Sequence, residues 1–388
     1  MRFFSLAICF VLILTQLACS PKKKTTAPPR KQKPVAGKTS KAVPVVVDPL
    51  NNDIAKFISG VEPDTYLREK TEQFWWKNYS ASIDKEWDLV RKNKMYPIRS
   101  WVDSLQISKE MNGQTLFYPF SGPDFLYANL FFPTVKNYVL IALEPLGTLH
   151  NVSTEEREYS EHYLQQLQKS LYFSTHDGFF RTKSMEKELN QIDLNGTIHL
   201  LLFYIKRCGY QITSVLPIEL DSLGNVLPFD GSNLGAPTSV RIEFCDSTKR
   251  DVKTLYYFSY DLSDENLQKH PRVLKFAERM GTQSTLLKAA SYLLHRPEFT
   301  IMRQYVLKNS QLILQDDSGV PYKRLERSEW TVVLFGNYSK TIDLFTHKYQ
   351  ADLKAAYEAQ NPKHRLPFRI GYNLVHSEAN MMLARRIH

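Results

Sequence analysis

Apolar positions along this chain fall into three patterns. An almost unbroken apolar run, Phe3 to Leu14 with only Ser5 inside it, comes first. From Ser20 to Val47 there is no aromatic residue, and from Asp48 onward apolar residues recur at helix and strand spacings. Asp64 is placed to cap an amphipathic run through Leu67, Phe74, Trp75 and Trp87 to Val90, which predicts one long helix or two short ones. After a short helical piece at Trp101 to Leu105, the pattern predicts an extended Thr115 to Phe120, a helix from Pro123 to Leu130 and a strand from Tyr138 to Leu143. These last three form a compact strand, helix, strand unit.

Ser153 and Glu156 have capping-box spacing and predict a helix running to Leu171, with another over Thr197 to Arg207. Gln211 to Leu220, Thr238 to Cys245 and Lys253 to Tyr260 then read as an antiparallel meander. Helices are predicted over Pro271 to Met280, Thr282 to His295, Glu298 to Lys308 and Tyr349 to Ala359. A hairpin is predicted to turn at Asp316-Asp317-Ser318-Gly319, with strands at Trp330 to Phe335 and Phe368 to Tyr372. The expected class is α+β, with mixed helices and a mainly antiparallel sheet. The globular region spans 48 to 388, and the switch from helix to meander allows two subdomains dividing near 210.

The formal charge of +10 changes this picture less than it first suggests. Nine basic residues precede Asp48, the first acidic one, so the rest of the chain sets 41 basic residues against 40 acidic ones. The body is close to neutral, and no nucleic-acid partner is expected. Residues 20 to 47, with eight Lys or Arg and five Pro, cannot bury a face and predict a disordered, charge-extended spacer. Its reach is roughly 30 Å on average and roughly 85 Å when fully extended.

Met1 and Arg2 followed by about 15 largely apolar residues suit the core of a secretory signal and fall short of the roughly 20 residues of a membrane span. With Ala18 before Cys19 and the polar Ser20-Pro21-Lys22-Lys23-Lys24 after it, the amino end resembles bacterial lipoproteins, although Gln16 stands where that pattern usually has Leu. Ordinary cleavage after Ala18-Cys19-Ser20 would instead leave Pro21 just behind the cut. The resemblance covers only the first 20 or so residues. It implies a signal peptide over 1 to 18, lipidation of Cys19, a membrane-anchored tether over 19 to 47, and a place in the cell envelope outside the cytoplasm. Several acyl chains anchor far more firmly than one, at about 0.8 kcal/mol per buried methylene.

Of the remaining cysteines, Cys9 lies in the apolar run, and Cys208 and Cys245 form an even pair that either bridges or stays as two buried thiols. No metal site is expected, because no spaced Cys/His set occurs, and no cofactor motif is found. The familiar nucleophile-elbow, zinc-helix, phosphate-loop and dinucleotide motifs are all missing.

The strongest candidate ligand site is Tyr118-Pro119-Phe120-Ser121-Gly122-Pro123-Asp124. A Gly-Pro junction between strand and helix leaves amides pointing outward, and Glu144 ends the next predicted strand on the same side. Ser121, Asp124 and Glu144 form the expected polar cluster, against the plainer role of helix capping for Ser121 and Asp124. Weaker candidates are His176, the pair Glu158 and His162, the helical His199 and His295, and the aromatic residues Phe74, Trp75 and Trp87 as a sugar platform. Two functions follow: an envelope binding protein for a protein, glycan or small ligand, or an envelope hydrolase using carboxylates between Ser121 and Glu144.

Overall fold

The computed structural model describes residues 45–149, 157–176, 195–231, 235–341, 343–371 and 379–387. The signal, Cys19 and nearly all of the tether lie outside the described residues, as do His150 and the predicted capping box at Ser153 and Glu156. Among the described residues ten strands form one sheet: β1 Thr115–Pro119, β2 Asn137–Ala142, β3 Gln211–Leu220, β4 Val226–Pro228, β5 Ser239–Cys245, β6 Val252–Ser259, β7 Gln283–Leu287, β8 Ser310–Gln315, β9 Trp330–Gly336 and β10 Asn380–Arg386. Their spatial order is β4-β3-β5-β6-β2-β1-β7-β8-β10-β9. The class is α+β.

The sheet is mixed in an ordered way. β6, β2, β1, β7 and β8 are parallel neighbours at its centre, and antiparallel pairs flank them on both sides. Central strands are covered on both faces, so β1 and β7 are buried at every position. Leu116 and Tyr118 of β1 point into one apolar core, which also holds the helices Phe125–Phe131 and Ile198–Arg207. Phe117 points into a second core on the other face, with the helices Arg272–Arg279 and Thr300–Asn309. The period-2 alternation of strand side chains divides the two cores.

No boundary falls at 210. β1 and β2, before it, pair with β7 and β6, after it, so both halves of the sequence share one sheet. The meander and the strand, helix, strand unit form as expected, the latter through the helix Phe125–Phe131 between parallel β1 and β2.

Three expectations fail. Thr282 to His295 is not one helix but β7 followed by a short 3₁₀ turn, Ala290–His295. Its polar residues are tolerated in the sheet centre because they have partners: Gln283 reaches the Tyr305 hydroxyl at 3.1 Å, and the Thr285 and Ser310 hydroxyls lie 2.7 Å apart. The residues around Asp316 do not make a hairpin, since β8 lies between parallel β7 and antiparallel β10. Among the described residues the last strand is Asn380–Arg386, and Phe368 to Gly371 of the expected strand are not in one, while Tyr372 lies outside the described residues. Among the described residues no helix is long and apolar enough to cross a membrane.

Candidate functional site

The chain leaves β1 by a sharp turn in which Phe120 and Gly122 both adopt positive φ, 59° each. That backbone is costly for Phe120 and holds only because its surroundings fix it. The Ser121 amide donates to the Ile141 carbonyl at 3.0 Å, extending the β1 to β2 pairing by one step. Asp124 then caps the helix Phe125–Phe131, accepting from the Tyr127 amide at 3.2 Å. The amides expected to point outward at this helix start are thus met, at Tyr127, by the protein's own carboxylate.

Asp124 does more than cap. Its second oxygen accepts from the Tyr118 hydroxyl at 2.8 Å and meets the Lys288 ammonium at 2.7 Å. Both charged side chains are only 2% exposed, so this is a fully buried ion pair. The Lys288 Nζ also lies 4.4 Å from the centre of the Tyr127 ring. Burial and the neighbouring Asp124 charge together raise the Tyr118 phenol well above its ordinary range, so it stays a proton donor to the carboxylate.

Lys288 sits at the end of β7, beside β1. The loop after β1 leads to a helix on one face of the sheet, while the chain after β7 leads to Thr300–Asn309 on the other. Loops that part in this way open a crevice at the carboxyl ends of parallel strands. A cavity of about 80 Å³ occupies that position, and Phe120, Ser121, Glu144, Tyr260, Asp261 and Lys288 are among its walls. Leu143, 60% exposed, stands at its mouth. A wider depression of about 430 Å³, by Lys363, Arg365 and Arg369, is lined by exposed cations and has no comparable buried cluster.

Comparisons of this chain with protein families, curated proteins and solved structures return no match. The chemistry therefore has to be read from the side chains themselves.

Ser121 and Glu144 share the crevice, as the sequence suggested, and Asp124 lies just behind it, joined through Lys288. Ser121 Oγ donates to the Gly122 carbonyl at 2.8 Å and approaches the Ile141 carbonyl at 3.4 Å, and neither carbonyl is a base that would activate it. The Glu144 backbone is fixed by the Tyr257 hydroxyl, which donates to its carbonyl at 2.8 Å, and the side chain is 7% exposed. Asp261 turns its carboxylate to the amide and hydroxyl of Ser263.

Sequence reasoning missed Lys288 and the Asp316–Asp317 pair. Both acids are buried and follow the carboxyl end of β8. Asp317 accepts from the Tyr292 hydroxyl and from Asn380 Nδ2. Burial first, and the adjacent Asp317 charge second, push the Asp316 carboxyl up to about 6. Lys288 had one signal in the sequence, a single charge in the apolar stretch Leu286-Leu287-Lys288-Ala289-Ala290.

The other candidates disperse. Trp75 and Trp87 are buried against Phe57 and Phe203, and only Phe74 is exposed, so no sugar platform exists there. His199 is buried against the Tyr163 hydroxyl, at 2.7 Å from Nδ1. His295 meets the Gly319 carbonyl, and burial pulls its imidazole down to about 4. His162 lies beside Gln166, while the side chains of Glu158 and His176 fall outside the described residues. Among the described residues no three His, Cys, Asp or Glu gather as metal ligands.

Cys208 and Cys245 are both free thiols. Cys245 lies opposite Gln211 across β3 and β5, whereas the Cys208 thiol is engaged by the Asn129 side chain on the helix Phe125–Phe131. Burial pushes the Cys208 thiol up to about 12, so it is a packing group and not a nucleophile at neutral pH.

Proposed function

We propose that this is an exported protein, anchored to a membrane of the cell envelope by lipid on Cys19, whose body binds a small ligand in the crevice between β1 and β7. The observation that carries the binding reading is the buried Asp124–Lys288 pair behind an open-mouthed cavity at the point where the strand connections diverge. Buried ion pairs contribute little to stability compared with apolar groups of the same size, so one placed in a cavity wall suggests a role in recognition or positioning. The walls combine Phe120, Leu143, Leu262 and Phe299 with Ser121, Glu144 and Lys288, which suits a ligand with an apolar body and a hydrogen-bonding head.

About 80 Å³ is the volume of roughly three liquid waters, so a glycan or an envelope protein would insert only a terminal group. The hydrolase reading is weaker, because Asp124 is held by Tyr118, Tyr127 and Lys288 and cannot serve as a mobile base without breaking that set. In a saturation-transfer screen of small amphipathic fragments, crevice ligands should compete with one another and lose about 10- to 100-fold in affinity with Glu144→Gln. Fragments that bind this variant and Ser121→Ala as tightly as wild type would contradict the assignment.

A further inference from the structure

Asp316, which follows β8, does not line the crevice but is bonded to the backbone beside it. Asp316 engages both neighbours of Lys288. Its amide donates to the Leu287 carbonyl at 3.1 Å, and its Oδ2 accepts from the Ala289 amide at 2.9 Å. Ala289 holds φ 56° and ψ −88°, a conformation that L residues rarely adopt and that persists only when something over-determines it. Asp316 Oδ1 is fixed in turn by the Ser318 amide at 2.9 Å and by the Ser318 hydroxyl. Gly371, at φ 63°, closes on the same group, and a Cβ there would stand 2.7 Å from Asp316 Oδ2.

We infer that Asp316 is a positioning residue, whose carboxylate holds the Lys288–Ala289 backbone so that the Lys288 ammonium reaches Asp124 at the crevice wall. Two accepted amides and a hydroxyl suit an ionised carboxylate. Protonation turns one acceptor into a donor and breaks one side of the clamp. The groups that face Asp316 are Asp317 beside it, Tyr118 of β1, Tyr292 of the turn after β7, and Tyr357 of the helix Ala351–Ala359. His295 lies in the same turn, bonded to Gly319. All three phenols are pushed above their ordinary range and stay protonated, and His295 changes charge only near pH 4.

Asp316 itself titrates near 6. The sign of that shift matters. A carboxyl raised in the folded state contributes stability at low pH and loses it as pH rises through about 6, so the ionised form is retained at neutral pH against stability. Any effect of this clamp on ligand affinity rests on the crevice reading. The clamp itself is tested without a ligand, so either idea can fail while the other stands.

The full chain, labelled with ¹³C-methyl alanine and ε-¹³C lysine, is titrated from pH 5 to 8. The Ala289 signal is assigned through Ala289→Gly and the Lys288 signal through Lys288→Arg. Both signals should move together with one midpoint near 6, and in Asp316→Asn both should be flat. Lys288 in Asp316→Asn should also acetylate at least about fivefold faster at pH 7.5, while the distant buried Lys253 is unchanged. Equal acceleration at Lys253 would mean general loosening and overturn the proposal. If the variant does not fold, the wild-type titration decides: an Ala289 signal that moves without Lys288, or neither moving, overturns it.

Discussion

Lys288→Met should destabilise the protein by about 3–5 kcal/mol, the cost of leaving one member of a buried ion pair without its partner. The estimate rests on geometry: Nζ and Oδ2 are 2.7 Å apart, both side chains are almost wholly out of water, and Tyr118 already donates to the same oxygen. Met fills nearly the same volume, so little of the loss should come from a void. Adding Asp124→Asn to Lys288→Met should recover most of it, because the amide removes the uncompensated charge and its oxygen can still cap Tyr127. Denaturant midpoints of wild type, both single variants and the double variant measure the coupling. Single losses that simply add would show that the two charges do not depend on each other.

Cys19→Ala should abolish acylation, an all-or-none change. Cells fed a fatty-acid analogue should label the wild-type chain and not the variant, and the variant should leave the membrane fraction. The expectation rests on the short apolar run, the Ala18-Cys19 junction, the unfavourable Pro21 behind the competing cut, and the Lys- and Pro-rich composition that follows. Two or more acyl chains give an attachment that washing does not reverse, whereas the lysines of the tether alone would release in salt. Equal labelling of both chains, or labelling of neither, would remove the anchor from the account.

How much of the fold was legible depended on where each strand lies in the sheet. β3 and β5 flank the parallel block and β6 is its outermost strand, and the spacing of their β-formers between turn signals matches their bounds to within a residue and their antiparallel pairing. β7 lies at the centre with both faces covered, which erases alternation, and its sequence then blends with Lys288-Ala289-Ala290 into a helical spacing. Asp316-Asp317-Ser318-Gly319 has the composition of a surface turn. Only the three-dimensional structure shows that residues distant in sequence, Ala289, Tyr292 and Asn380, bury it.

The site divided in the same way. Ser121 and Glu144 were readable because both lie at the ends of strands joined by one short helix, which local sequence can relate. Lys288 was not, since its partner Asp124 is supplied by a strand neighbour more than 160 residues away, and no spacing rule spans that distance.

If the crevice between β1 and β7 carries a ligand, that molecule should travel with the protein through purification. The full chain is purified gently from the cells that make it, denatured, and its released small molecules are weighed by mass spectrometry, beside Leu143→Trp. Leu143 is exposed at the mouth, so the larger ring should obstruct the opening without disturbing either core. A small amphipathic species should be released at near one per chain from the wild type and be lost from Leu143→Trp. The same species in equal amount on both proteins, or none on either, would contradict it.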